Sequence, residues 1–150
     1  MVPLMPSASG SWHAILLVHA AATLFMTGLI WFVQVVHYPL FAHVGREALS
    51  DYARRHARLT TFIVAPAMSI ELLSAVAVVA LRPGDVPWWL GGIGGGLLAA
   101  IWLSTAFLQV PLHGSLQRND AAAIRKLVAS NWLRTSAWSA RAIVALALLW

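Results

Sequence analysis

The chain has 150 residues, of which 60% are hydrophobic and only 10% are charged. This length allows one domain, and a soluble domain of this size could not bury so much apolar surface. The chain contains no cysteine, which excludes disulfides, thiolate metal ligands and a cysteine nucleophile. The composition therefore predicts an integral membrane protein whose surrounding solvent is lipid.

Four segments are apolar over about 20 residues, the length of helix that crosses a bilayer. They are separated by residues that end helices or form turns: Pro39, then Arg82-Pro83-Gly84-Asp85, then Gly114. The fourth helix is expected to begin before its apolar part, capped by Asn119 or Asp120. We predict an all-α fold, an integral membrane four-helix bundle forming a single domain over residues 1–150. The predicted spans are Trp12–Tyr38, Leu59–Leu81, Trp88–Leu112 and Trp132–Trp150.

The positive charge lies almost entirely on one side of the predicted bundle. The other side carries only Arg82. Because basic residues flank membrane spans on the cytoplasmic side, we predict both basic loops inside and both termini outside the cell's inner (plasma) membrane. This placement favours membrane anchoring over nucleic-acid binding, in spite of the net charge of +5. The basic residues in or beside the two loops are Arg46, Arg54, Arg55, Arg58, Arg118, Arg125, Lys126 and Arg134.

A glycine-rich run, Gly91-Gly92-Ile93-Gly94-Gly95-Gly96, opens the third predicted span. It lacks the Lys-Ser/Thr that follows the glycines of a phosphate-binding loop. Small residues let membrane helices approach closely, so we predict that the run is a helix-packing surface.

Polar residues within the predicted spans recur every three or four positions and so fall on one face of each helix. Polar and charged side chains facing lipid are costly, so these faces are expected to meet in a polar interior. The faces consist of Thr27, Trp31 and Gln34; His56, Thr60, Ala67, Glu71 and Ser74; Trp102, Thr105, Gln109 and His113; and Asn131, Arg134, Trp138 and Arg141.

Three histidines from three helices share the cytoplasmic level of the bundle: His37, His56 and His113. Gln109 and Asn131 lie at the same level. Imidazole is the commonest protein metal ligand, and three such groups can hold copper, iron or zinc with one position open. Haem is the alternative cofactor. A third interpretation is that these histidines bond lipid head groups or helix-end carbonyls.

Glu71 and Arg141 are predicted to form an ion pair. Each lies roughly 15–20 Å from the cytoplasmic end of its helix at ~1.5 Å per residue, a depth at which an unpaired charge is very unfavourable. The pair either locks two helices together or serves as a catalytic acid–base or substrate clamp. His13, His19 and His43 are expected at the interface or in loops.

The segment from Asn131 to Trp138, together with Arg141, resembles the final-helix motif of the anthrone-oxygenase-like family of small four-helix membrane proteins. Gly28 and the ending Tyr38-Pro39-Leu40-Phe41 are similar to the first helix of that family. The resemblance implies a four-helix membrane fold and oxidation of an aromatic or quinol-like substrate. It carries over Asn131 and Arg134 as site residues.

The expected function is that of a membrane oxidoreductase, oxygenase-like, acting on a hydrophobic aromatic or quinol-like molecule taken from the bilayer. The three histidines would hold the metal or haem, and Arg134 would stabilise developing negative charge. The residues expected to orient the cofactor or substrate are Gln34, Gln109 and Asn131, with Glu71 and Arg141 as further catalytic candidates. The alternative is a non-enzymatic transporter, channel or membrane assembly subunit, and the composition also allows a homo-oligomer.

The predicted topology can be tested by single-cysteine labelling, because the natural chain has no cysteine. A cysteine at Ser7 is expected to react with a membrane-impermeant thiol reagent added outside intact cells. One at Ser115 is expected to react only after the membrane is permeabilised. The reverse pattern would show that the orientation derived from the basic loops is wrong.

Overall fold

The structure, a computed structural model, describes residues 8–84 and 86–150. Asp85 of the predicted turn and the labelling position Ser7 lie outside the described residues. In these two ranges all regular secondary structure is helical, which confirms the predicted all-α bundle.

The helices form four rods, and the first and third rods each contain a wider π-helical turn. In chain order the rods consist of α1 (Ala8–Phe32), a π-helical turn (Val33–His37), α2 (Tyr38–Leu40) and a 3-10 turn (Phe41–His43); α3 (Arg46–Ala80); α4 (Trp88–Ser104), a second π-helical turn (Thr105–Gln109) and α5 (Val110–Gln117); and α6 (Ala122–Ala147).

Among the described residues, three helices are long and apolar enough to cross a membrane, covering Gly10–His43, Arg46–Ala80 and Trp88–Gln117. The chain is therefore a membrane protein. The fourth rod, α6, is not among them, since basic and polar residues recur along its length, and its crossing of the membrane stays a prediction. The identity of the membrane and the orientation in it also stay predictions.

The rods pack in a ring. The first rod contacts both α3 and α6, and α6 in turn contacts α4. By contrast α3 and α4 touch only sparsely, although α3 packs well against α5. The bundle is therefore closed on three sides and has a loosely packed side, the α3–α4 seam, along the length of α4.

The sequence prediction that Pro39 stops the first helix is wrong, since the chain stays helical to His43. Both Pro39 and Pro111 lie two residues after the end of a π-helical turn. A proline ring clashes with the carbonyl four residues earlier, here that of Val35 or Phe107. Each of these carbonyls lies within a π-helical turn, whose wider winding gives the ring room without ending the rod.

The third rod also runs past its predicted end, because Gly114 is accommodated within α5 and the helix ends only at Gln117. The chain then reverses through Asn119, whose φ of 66° is the left-handed conformation that asparagine tolerates well. The helix begins one residue later than the predicted cap allows, with Ala121 as its N-cap, but the Asp120 carboxylate still accepts a hydrogen bond from the Ala122 amide at 3.0 Å.

Two glycines of the run in α4 bear out the predicted close packing. A Cβ atom on Gly94 would lie 3.3 Å from the Arg141 guanidinium, and one on Gly91 would lie 3.4 Å from Val79. Gly94 therefore has to lack a side chain, because Arg141 of α6 packs against α4 at this position. A Cβ atom on any of the other three would meet nothing within 4 Å; these are Gly92, Gly95 and Gly96.

The buried ion pair between Glu71 and Arg141 links the four rods. The Arg141 guanidinium donates one hydrogen bond to the Glu71 carboxylate and another to the Gly94 carbonyl of α4. Thr23 of α1 donates to the same carboxylate oxygen at 3.4 Å. Glu71 is 0% exposed and Arg141 2% exposed, so neither charge is solvated and each depends on these partners. The predicted ion pair is confirmed.

Removing one partner of this pair is expected to lower thermal stability in detergent more than removing both. Either Glu71→Gln or Arg141→Met strands a buried charged or polar group, at a cost of about 3–5 kcal/mol. The double variant leaves no unpaired charge and is expected to recover much of that loss. Melting temperatures of the purified variants measure this coupling.

The control is Arg58→Met, which removes an exposed arginine from the same α3 helix. This change is expected to leave the melting temperature nearly unchanged. A double variant that merely sums the two single losses would contradict a direct stabilising contact between Glu71 and Arg141.

Candidate functional site

A cavity of about 430 Å³ lies between the rods at the end of the bundle that carries the two basic loops. We call this the basic-loop end, and the opposite end, where α1 begins and α6 ends, the terminal end. Most of the cavity's surface is apolar, although half of its lining residues carry polar side chains; Met26, Ile30, Val64 and Met68 of α1 and α3 contribute to the apolar part. The polar residues lining it include Tyr38, His56, Thr60, Thr105, Gln109, His113 and Arg134.

The three predicted histidines lie together, as their shared depth predicted. His37 Nε2 and His56 Nδ1 are 2.8 Å apart, and the two rings stack with centroids 4.5 Å apart. The ring of His113 lies 5.2 Å from that of His56. His56 and His113 line the cavity, whereas His37 lies behind His56, outside the lining.

Tyr38 is a site residue that the sequence analysis did not select. Its side chain is buried, and its hydroxyl forms a hydrogen bond with His113 Nε2 at 3.0 Å. The Arg134 guanidinium lies beside the same phenol. Tyr38 lies one helical turn after Gln34, on the same inward side of the rod, and both residues are buried. The signal in the sequence is this spacing of four residues from Gln34.

Arg134 is held by a network of amides. Its guanidinium donates to Asn131 Oδ1 at 3.3 Å, and the Asn131 amide donates to Gln34 Oε1 at 2.9 Å. Thr135 donates to the same Gln34 oxygen at 3.3 Å, and the Gln34 amide donates to the Val128 carbonyl at 3.2 Å. Gln34 and Asn131 do not line the cavity. They position Arg134, and their expected role in orienting a cofactor or substrate stays a prediction.

Three residues that line the cavity each carry a buried polar atom without a hydrogen-bond partner in the described part of the chain. The atoms are Gln109 Oε1, His113 Nδ1 and Arg134 Nε. Gln109 is 2% exposed and Arg134 6% exposed, so bulk solvent does not satisfy them. Unsatisfied buried polar atoms are uncommon, and their convergence beside a cavity points to a ligand with hydrogen-bonding groups.

One ring nitrogen of each imidazole in this cluster faces a protein partner. His37 and His56 face each other, and His113 Nε2 faces the Tyr38 hydroxyl. Within residues 8–84 and 86–150 no three His, Asp or Glu side chains are arranged to hold a metal ion. The predicted metal or haem centre stays a prediction.

Glu71 and Arg141 form a separate cluster nearer the terminal end, and neither lines this cavity. His19 belongs to that cluster. Its Nδ1 lies 3.1 Å from the Ser74 hydroxyl and 4.0 Å from the Glu71 carboxylate, and the side chain is 4% exposed. The expectation that His19 lies at the interface is therefore wrong, because Ser74 and Glu71 of α3 supply it with buried partners.

Only some residues of the predicted polar face of the first helix point into the bundle. Gln34 is buried, but Trp31 is 44% exposed. The Trp31 indole donates to the Ser139 hydroxyl at 3.0 Å and packs edge-on against Trp132, with ring centroids 5.8 Å apart. An indole can bury its N–H against a neighbouring helix while its ring faces lipid, which explains the outward placement.

On α6 the predicted face is inward throughout, since Asn131, Arg134, Trp138 and Arg141 are all buried. On the third rod the four predicted residues all line the cavity: Trp102, Thr105, Gln109 and His113. Helical spacing was therefore a good guide wherever the residues were charged or carried amides.

Comparison with known proteins returned no relative of this chain. No family model, no curated protein and no solved structure matches it.

Proposed function

We propose that this membrane protein binds a hydrophobic molecule with a phenol or quinol-type head group and accepts its hydroxyl proton. The observation that carries the proposal is the set of three unpartnered buried atoms, on Gln109, His113 and Arg134, beside an otherwise largely apolar cavity. The head group would lie among these atoms at the basic-loop end.

The three atoms match what a hydroxyl on an aromatic ring requires. In the tautomer that carries its proton on Nε2, His113 donates to Tyr38, and its Nδ1 is free to accept a proton from the ligand. Arg134 supplies a permanent positive charge that stabilises the oxygen as the proton leaves. Gln109 Oε1 accepts a hydrogen bond from a second hydroxyl, which a quinol has and a simple phenol lacks.

The rest of the cavity suits the apolar body of such a molecule. Met26, Ile30, Val64 and Met68 provide an apolar wall, and Trp102 provides an aromatic face. The sparse contact between α3 and α4 leaves an opening toward the lipid, by which a membrane-dissolved molecule can enter. A small-molecule site of this kind, apolar with a few convergent polar groups, is the usual design of a ligand pocket.

Proton removal links this proposal to the oxidoreductase expected from the sequence. A phenol or quinol that has lost its proton gives up electrons more readily, so a site that ionises the hydroxyl prepares it for oxidation. The chain's own residues bind, orient and deprotonate the head group in this account.

A through-channel is less well supported. Between the two polar clusters the bundle is filled by the buried side chains of Met26, Ile30, Met68, Ile101 and Trp138. This apolar layer separates the basic-loop cavity from the Glu71–Arg141 cluster, so the polar groups of the described bundle do not form a continuous path.

An alkylated 4-nitrophenol tests the proposal, because its absorption spectrum changes when the hydroxyl ionises. Purified protein is expected to bind the probe saturably and to raise the ionised fraction of the bound probe. His113→Gln and Tyr38→Phe are each expected to weaken binding about ten-fold or more, since hydrogen bonds to charged groups contribute about 1.5–3 kcal/mol.

His43→Gln is the matched control, because His43 is an exposed histidine that does not line the cavity. This variant is expected to bind the probe as the natural protein does. If His113→Gln binds the probe as tightly as His43→Gln and ionises the same fraction of it, the proposed role of His113 is wrong.

A metal ion held by the three histidines remains a second proposal, favoured by the close approach of His37 Nε2 to His56 Nδ1. If it is correct, metal analysis of the purified protein will find stoichiometric copper, iron or zinc, and haem would instead give a Soret band. His56→Gln should lose the metal and His43→Gln should keep it. If the natural protein is purified from metal-supplemented cells and contains no copper, iron, zinc or haem, the metal proposal is wrong.

A further inference from the structure

A second cavity, of about 310 Å³, lies on the α3–α4 seam at the terminal end of the bundle. Its walls are apolar side chains and glycine backbone, and among the described residues that line it only His19 and Arg141 are polar. This volume is at the lower end of the range for small-molecule sites. The cavity does not share a lining residue with the one at the basic-loop end.

The two polar residues are deeply buried and belong to the ion-pair cluster. Arg141 is 2% exposed and His19 4% exposed. In the described part of the chain the Arg141 guanidinium donates to the Glu71 carboxylate and to the Gly94 carbonyl. A guanidinium has further N–H donors beyond these two, so Arg141 can still donate to a molecule in the cavity that it lines.

The charge at this end of the cavity is already balanced. Glu71 neutralises Arg141 by direct contact. Bringing in an anion would therefore add an uncompensated buried charge, whereas a neutral oxygen acceptor gains a hydrogen bond without that cost. The electrostatics favour a carbonyl oxygen over a carboxylate or phosphate.

The depth of the site favours a free carbonyl compound as its ligand over the ester carbonyls of a membrane lipid. His19 lies seven residues into the helix from Trp12, or roughly 10 Å at ~1.5 Å per residue. Tryptophans such as Trp12 and Trp150 anchor helix ends at the level of the lipid head groups. Lipid ester carbonyls belong to that interface, so they lie above the level of Arg141 and His19.

We propose that this cavity is a second binding site, for a neutral hydrophobic carbonyl compound whose oxygen accepts a hydrogen bond from Arg141. The compound enters from the lipid through the seam beside Gly91, Gly94 and Gly95. The site is independent of the phenol or quinol site, since it uses different residues and a different charge balance.

Benzophenone is a suitable probe, because it is a neutral hydrophobic ketone that forms covalent adducts on illumination. With full-length protein in bilayer discs, saturable adducts are expected on cavity peptides covering residues 75–79, 90–98 and 144–148. Gly95→Leu is expected to lose these adducts, because a Cβ at Gly95 meets no atom within 4 Å and the added side chain would fill the cavity. Ala75→Leu, on the opposite wall, is expected to do the same.

Gly92→Leu is the matched control. Its Cβ also meets nothing within 4 Å, but Gly92 does not line the cavity, so this variant is expected to keep the adducts.

The experiment is run in discs of ester-linked and of ether-linked phosphatidylcholine, and adducts in both support a site for free carbonyl compounds. Adducts that appear only in ether-linked discs would show that lipid ester carbonyls occupy the cavity, which overturns the proposal. Unsaturable labelling, adducts confined to the basic-loop cavity, or equal labelling of Gly95→Leu and Gly92→Leu would also overturn it.

Discussion

The whole arrangement depends on one constraint: polar groups inside a lipid-facing bundle must find their partners within the bundle. The ion pair between Glu71 and Arg141 satisfies that constraint for two charges and involves four rods, through Thr23 of α1 and the Gly94 carbonyl of α4. It also explains why α6 packs with Arg134 and Arg141 inward.

The same constraint is met differently at the two ends of the bundle, which therefore differ in their charge balance. Near the terminal end the charges of Glu71 and Arg141 cancel, and the adjoining cavity is almost entirely apolar. At the basic-loop end Arg134 has amide and phenol neighbours but no carboxylate among the described residues that contact it. Its positive charge, with the open atoms of His113 and Gln109, makes that end suited to an oxygen that becomes negatively charged.

Much of this could be predicted from residue spacing, because a costly side chain inside a membrane helix has to face inward. That argument placed Glu71 against Arg141 and brought the histidines of three rods together. It failed where the side chain is amphipathic, since Trp31 satisfies its indole N–H while its ring stays exposed. Tyr38 also has the inward spacing, four residues after Gln34, but a phenol does not demand an inward position as a charge does. His19 was misplaced because its partners on α3 are distant in the sequence.

The central claim is that His113 Nδ1 is an open proton acceptor which a ligand hydroxyl occupies. Nitrogen NMR of protein with ¹⁵N-labelled histidine measures this directly, with His113 assigned by substitution. The account predicts an unprotonated Nδ1 signal without ligand that changes to a protonated one on saturation with the alkylated 4-nitrophenol, while His43 stays unchanged. A His113 signal that is insensitive to the bound probe would contradict the claim.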